Sequence, residues 1–154
     1  MDRQELGQRI IELTPLLYHI TCGLLSNEGD REDAVQSAIE KAWRRADSLR
    51  DPGKLKPWLA RIVVNECRDA LRHRKRELPT ETLPEESAPP PQEQRELREL
   101  VMSLPENERL PIVLHYLEGF STQEIASALR CPKGTILSRM SRGRRQLKRF
   151  LTEE

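Results

Sequence analysis

The residues best suited to chemistry lie late in this chain, where Lys133, Arg139, Arg142, Arg144, Arg145, Lys148 and Arg149 occur with no acidic residue among them. Guanidinium and ammonium groups at that density are suited to polyanions: they displace counterions from phosphates, and arginine reads guanine edges with two hydrogen bonds. Bond-making chemistry is not suggested. His19, His73 and His115 are scattered singly, with no paired Ser, Cys or carboxylate constellation around them. Cys22, Cys67 and Cys131 are odd in number, widely separated and without CxxC spacing, so reduced thiols are expected rather than a disulfide framework or zinc site. No metal or cofactor is expected.

The elements that must position the basic residues read as a helix-turn-helix over Ser121 to Phe150. Ser121 or Thr122 is a fitting N-cap, and Glu124 suits the positive end of the first helix dipole. Ile125, Ala126 and Leu129 form the expected buried face, and Pro132 stops that helix because its ring excludes the preceding residue from helical angles. The second helix resumes at Lys133. Ile136, Met140, Leu147 and Leu151 recur at helical spacing, so Thr135, Ser138, Arg139 and Arg142 point outward. In this motif the start of the second helix enters the major groove.

At 154 residues, with 33% charged and 4% aromatic side chains, the chain suits one or two small helical bundles with thin cores. Net charge is only +1, but the charges are segregated, and the local field steers a polyanion. No apolar run approaches the roughly 20 residues of a membrane span, and the start lacks a signal-peptide pattern. The expected location is the cytoplasm, without membrane insertion.

In chain order, Leu6, Ile10, Leu13, Leu17, Ile20 and Leu24 predict a helix over about Arg3 to Leu25, with Pro15 as a bend or break. Asp30 is the expected cap of a second helix, Arg31 to Ala46, which turns Ala34, Val35, Ala38, Ile39, Ala42 and Trp43 inward. Its other face shows Glu32, Asp33, Gln36, Glu40, Arg44 and Arg45. After an Asp51-Pro52-Gly53 turn, Pro57 opens a third helix striped by Trp58, Leu59, Ile62, Val63, Cys67, Ala70 and Leu71. That helix leaves Arg61, Asn65, Arg68, Arg72, Arg74, Lys75 and Arg76 outward.

Residues 1–76 thus form an expected three-helix domain. The proline-bearing, glutamate-rich stretch 77–94 reads as a flexible acidic linker. Residues 95–154 form an expected four-helix domain. In it, Leu97, Leu100, Val101 and Leu104 mark one helix, and Leu110, Val113, Leu114 and Leu117 face inward on the next. Pro111 bends that second helix or confines its regular part to the later turns, and Gly119 caps it before the helix-turn-helix. The fold class is all-α, in two domains.

The run LPENERLPIVLHYLEGFSTQEIASALRCPKGTILSRMSRGRRQLKRFL resembles region four of the extracytoplasmic-function sigma factors of bacterial RNA polymerase. GDREDAVQSAIEKAWRRADSL followed by KPWLARIVVNECRDALRHRKR resembles their region two. The two runs stand in the family's order and cover nearly the whole chain. The resemblance implies a protein that binds core RNA polymerase and promoter DNA to direct transcription initiation, with an anti-sigma factor as a further partner. A helix-turn-helix repressor or activator acting without polymerase is the alternative.

Carried over residue by residue, the resemblance gives Asp33, Gln36, Glu40 and Arg44 to the clamp of the largest polymerase subunit. It gives Lys54, Lys56, Arg61, Asn65, Arg68 and Arg72 to the promoter's minus-ten element, and Arg74 to Arg76 to backbone phosphate rather than to base reading. Thr135, Ser138, Arg139 and Arg142 fall to the minus-thirty-five element, with Lys133 and Arg145 as phosphate anchors. The chain departs from the family's common pattern at Arg130, Lys133 and Leu137, where Gly, a small apolar residue and a basic residue are frequent. Leu137 either meets a thymine methyl or packs.

Overall fold

The computed structural model describes residues 2–76 and 92–152. They belong to two compact units. The expected linker over 77–94 lies outside the described residues except at its end, where positions 92–94 already belong to a helix.

The first unit packs three helices against one another: α1, Arg3–Cys22; α2, Glu28–Arg44; and α3, Leu55–Arg76. Short 3-10 turns at Ala46–Ser48 and Pro52–Lys54 link α2 to α3. The core is formed by Leu6, Ile10, Leu17 and Ile20 of α1, Ala34, Ala38 and Ala42 of α2, and Leu55, Leu59, Val63 and Cys67 of α3. Alanines at that spacing let α2 approach its neighbours closely, while the larger α3 side chains fill the centre. Pro15 lies inside α1 without ending it.

Asp30 does not cap α2. The helix begins earlier, and the Asn27 side chain accepts from the Asp30 backbone N–H at 3.1 Å, which satisfies an otherwise orphaned donor. Asp30 is instead ion-paired with Arg74 of α3. Beside this cap, buried Arg31 donates to the Leu25 carbonyl at 3.0 Å and to Glu28 at 3.2 Å. The Tyr18 hydroxyl donates to Glu28, at 2.7 and 2.8 Å from its two oxygens. That bond to a carboxylate pushes the phenol up to about 12 and holds the Glu28 carboxyl below its usual range. A buried cation is thereby paired and bonded.

Trp43 is 39% exposed rather than inward. Gly7 leaves room for its ring edge, since a Cβ at Gly7 would lie 3.3 Å from it, and the Arg3 guanidinium stacks over the ring at 4.1 Å.

The second unit contains α4, Gln92–Met102; α5, Glu106–Ile112; a π turn, Val113–Leu117; α6, Thr122–Leu129; and α7, Lys133–Thr152. Arg109 ties α4 to α5 by donating to the carbonyls of Met102 and Leu104 at 3.0 and 3.2 Å. The regular part of α5 is its earlier turns, not its later ones. Pro111 has no N–H to return to the Asn107 carbonyl, which lies on an exposed residue that solvent can serve. The π turn then adds a residue, with the Glu118 N–H reaching the Val113 carbonyl at 3.2 Å. This shift of register turns Leu117 outward to 67% exposure, contrary to its spacing.

Candidate nucleic-acid and polymerase surfaces

The helix-turn-helix is fixed by local chemistry. Ser121 Oγ accepts from the Glu124 N–H and the Glu124 carboxylate accepts from the Ser121 N–H, each at 3.0 Å, forming a reciprocal capping box. Gly119, at φ +72°, turns the chain ahead of it. His115 Nδ1, 2.8 Å from the Phe120 carbonyl oxygen, ties that entry to the π turn and is not an isolated reactive group.

At the other end of α6, Arg130 takes the left-handed conformation at φ 52° where glycine would be unstrained. The cost is about 1 kcal/mol. The Cys131 N–H returns to the Ala126 carbonyl at 3.1 Å, and Pro132 offers its carbonyl to Thr135 and Ile136 to begin α7. The turn closes without glycine because these bonds satisfy the helix ends.

Ile125 and Ala128 of α6, with Ile136, Met140 and Gly143 of α7, form the inner seam. Ala126 and Leu129, expected inside, are only half-buried. Gly143 marks the close approach to α5: a Cβ there would fall 2.3 Å from Ile112 Cδ1. Beyond it α7 outruns the body it packs on, so Leu147 is half-buried and Leu151 is 64% exposed despite their spacing.

The outward face of α7 presents Lys133, Ser138, Arg142 and Arg145 to solvent. Thr135 and Arg139 are half-buried at its edge, where Arg139 donates to Cys131 Sγ at 3.4 Å. Arg144 is directed elsewhere, donating to the Tyr116 hydroxyl at 3.1 Å. Among the described residues no carboxylate pairs with Lys133, Arg139, Arg142 or Arg145. The surface is therefore a field of uncompensated positive charge with hydroxyls between.

On α3, Arg61, Asn65, Arg68 and Arg72 recur every three or four residues and so share one face. Asn65 and Arg72 line a polar cleft of about 270 Å³, joined by Lys41 and Arg45 of α2. Sequence reasoning did not assign Lys41 and Arg45 to this face, because the pairing of α2 with α3 brings them there. Lys54 is exposed and Lys56 half-buried at the entry to α3. The cleft carries its own acids: Lys41 is paired with Glu66, and Arg72 with Asp69. Trp58 is half-buried.

The polymerase candidates Asp33, Gln36, Glu40 and Arg44 are all exposed on α2 and fall on one face at spacings of three and four. Alongside them runs an open groove of about 650 Å³, which Gln36, Ile39 and Glu40 share with Pro15, Tyr18 and His19 of α1. The α1 wall was not visible from the sequence because only the packed pair creates the groove.

Comparison with known proteins agrees with this division. The sigma-70 region 2 profile matches residues 10–77, and the sigma-70 region 4 profile matches residues 94–147. The ECF RNA polymerase sigma-E factor of Escherichia coli is 34% identical over 168 residues, spanning 94% of this chain and 88% of that one. A probable RNA polymerase sigma factor, RfaY, of Xanthomonas campestris pv. campestris is 33% identical over 98% of this chain, which spans 41% of RfaY's length. Among solved structures, RpoE of Bartonella quintana, in complex with the anti-sigma factor NepR, superposes with a TM-score of 0.81 at 27% identity, covering 98% of this chain and 99% of RpoE. CnrH, in complex with the cytosolic domain of CnrY, shares the fold with a TM-score of 0.74 at 24% identity, covering 97% of this chain and 89% of CnrH.

The chain belongs to the extracytoplasmic-function sigma factors of RNA polymerase. Its function is that of an alternative sigma factor, binding core polymerase and directing promoter recognition and initiation. Among the described residues no helix is long and apolar enough to cross a membrane.

Proposed function

We propose that the labour is divided among three surfaces. The α2 stripe of Asp33, Gln36, Glu40 and Arg44 holds the polymerase clamp, with the neighbouring groove receiving an apolar side chain of that partner. Lys54, Lys56, Arg61, Asn65, Arg68 and Arg72 hold the opened minus-ten region, Asn65 and Arg72 through the polar cleft. Lys133, Thr135, Ser138, Arg139, Arg142 and Arg145 grip the minus-thirty-five element as duplex. The observation that carries this reading is that two separately packed units each present a cationic helix face at the surface.

The acts are binding and strand separation, with no covalent step. Residues 1–76 and 95–154 serve as the two grips and 77–94 as the tether. Two modest affinities joined by a short connection gain from effective concentration, so the protein binds promoters well only when polymerase holds it. The likeness to RpoE, whose structure contains an anti-sigma factor, supports an inhibitory partner of that kind here. The site of action is the cytoplasm.

Run-off transcription on genomic fragments with purified core polymerase tests the reading. The expected result is new, promoter-specific start sites that appear only when this protein is added. Tight duplex binding by the protein alone, with no new start site, would instead establish a polymerase-independent repressor or activator.

A further inference from the structure

Leu137 is out of place on its surface. It is 46% exposed in the first turns of α7, on a face otherwise made of lysine, arginine, serine and glycine. At that exposure it does not belong to the closed core of the unit. The core contacts of that turn are made by Ile136, fully buried, and by Met140. At 100° per residue, Leu137 lies on the flank of the outward face, next to Gly134 and Ser141 and beside Ser138. Gly134 has open space around it, with no atom within 4 Å of where a Cβ would stand. Small neighbours leave the leucine as the projecting group on that flank.

An isobutyl group has no hydrogen-bonding capacity and no charge, so it contributes nothing to phosphate binding and cannot read a guanine or adenine edge. The major groove offers one apolar feature, the C5 methyl of thymine. Resting on the reading of α7 as a recognition helix, we propose that Leu137 is a specificity-determining residue that selects thymine in the upstream promoter element by contact with its methyl group.

The test uses holoenzyme reconstituted with the full chain. Duplexes with a randomised upstream element are selected for initiation, and each thymine of the enriched sequence is then replaced singly by deoxyuridine, which removes only the methyl. Wild-type holoenzyme is expected to lose about fourfold in binding at one such position, the worth of one buried methylene-sized group. Leu137→Ala should abolish the loss at that position and leave the others unchanged. Leu137→Arg should move the preference there from thymine to guanine. Both substitutions leave Ile136 and Met140, the buried residues of that turn, in place.

Enrichment without any methyl-sensitive position, or a methyl effect that survives in Leu137→Ala, overturns the inference and leaves the sigma-factor reading intact. Failure to enrich any upstream sequence overturns the recognition-helix reading, and this inference with it.

Discussion

The two cationic helices differ in how their charge is kept. On α3, Arg72 is paired with Asp69 one turn away and Arg74 with Asp30 of α2, while Glu66 of α3 holds Lys41. On α7 there is no acidic residue from Lys133 to Thr152, and its outward arginines meet no carboxylate among the described residues. A phosphate approaching α3 must compete with fixed carboxylates, whereas one approaching α7 displaces only water and small ions. On the proposed division of labour, α3 is restrained until a well-fitting strand arrives, whereas α7 must obtain its selectivity from shape and base contacts.

The helices differ equally in how they are held, and the largest expected effect lies there. Gly143 is where α7 meets α5, with Ile112 occupying the space a side chain would need. Gly143→Leu should destabilise the second unit by about 3 kcal/mol through overpacking. Gly134→Ala, in the same helix but in open space, should stabilise it by about 1 kcal/mol from helix propensity. Thermal unfolding followed by circular dichroism measures both. Equal effects of the same sign would mean that the close approach at Gly143 does not hold α7 in place.

Next in size is the energetic contrast between a bare and a paired arginine. Arg142→Ala should weaken holoenzyme binding at the upstream element by about 1 to 3 kcal/mol if it reads a base, and should flatten the log–log salt dependence by about one if it neutralises a phosphate. Arg72→Ala should flatten that dependence by clearly less, because Asp69 already neutralises part of its charge in the free protein. Filter-binding titrations across a salt series read both slopes. Equal slopes would show that Asp69 lets go completely, and the distinction between the two helices would disappear.

What could be read from the sequence follows the same line between local and distant causes. The helix-turn-helix was legible because its cap, its turn and its charge all lie within thirty residues of one another: Ser121 and Glu124 are three apart, and Pro132 stops what precedes it. Asp30 was misread as a cap because Asn27 and Asp30 are both good capping residues, and the partner that claims Asp30 lies 44 positions away on another helix. Leu117 kept helical spacing yet turned outward, because a π turn changes the period. Leu151 kept it as well, but α7 extends past the helices it packs on. The groove beside Gln36 and the cleft beside Asn65 were invisible for a simpler reason: each needs two helices side by side.

The smallest expected effect bears most directly on restraint. Asp30 sits in the first turn of α2, where its charge is welcome to the helix dipole, and it also holds Arg74. Asp30→Asn keeps the shape and hydrogen-bonding reach of the side chain and removes the charge that competes with phosphate. Holoenzyme carrying this substitution should bind promoter DNA up to about threefold more tightly at low salt, within the worth of a partly exposed ion pair. The gain should shrink as salt rises. Glu12→Gln, which removes a charge from an exposed position on α1, controls for net charge and should change binding less. Weaker binding by Asp30→Asn would reverse the sense of the pair, making the carboxylate a support that aims Arg74 at the strand rather than a competitor that withholds it.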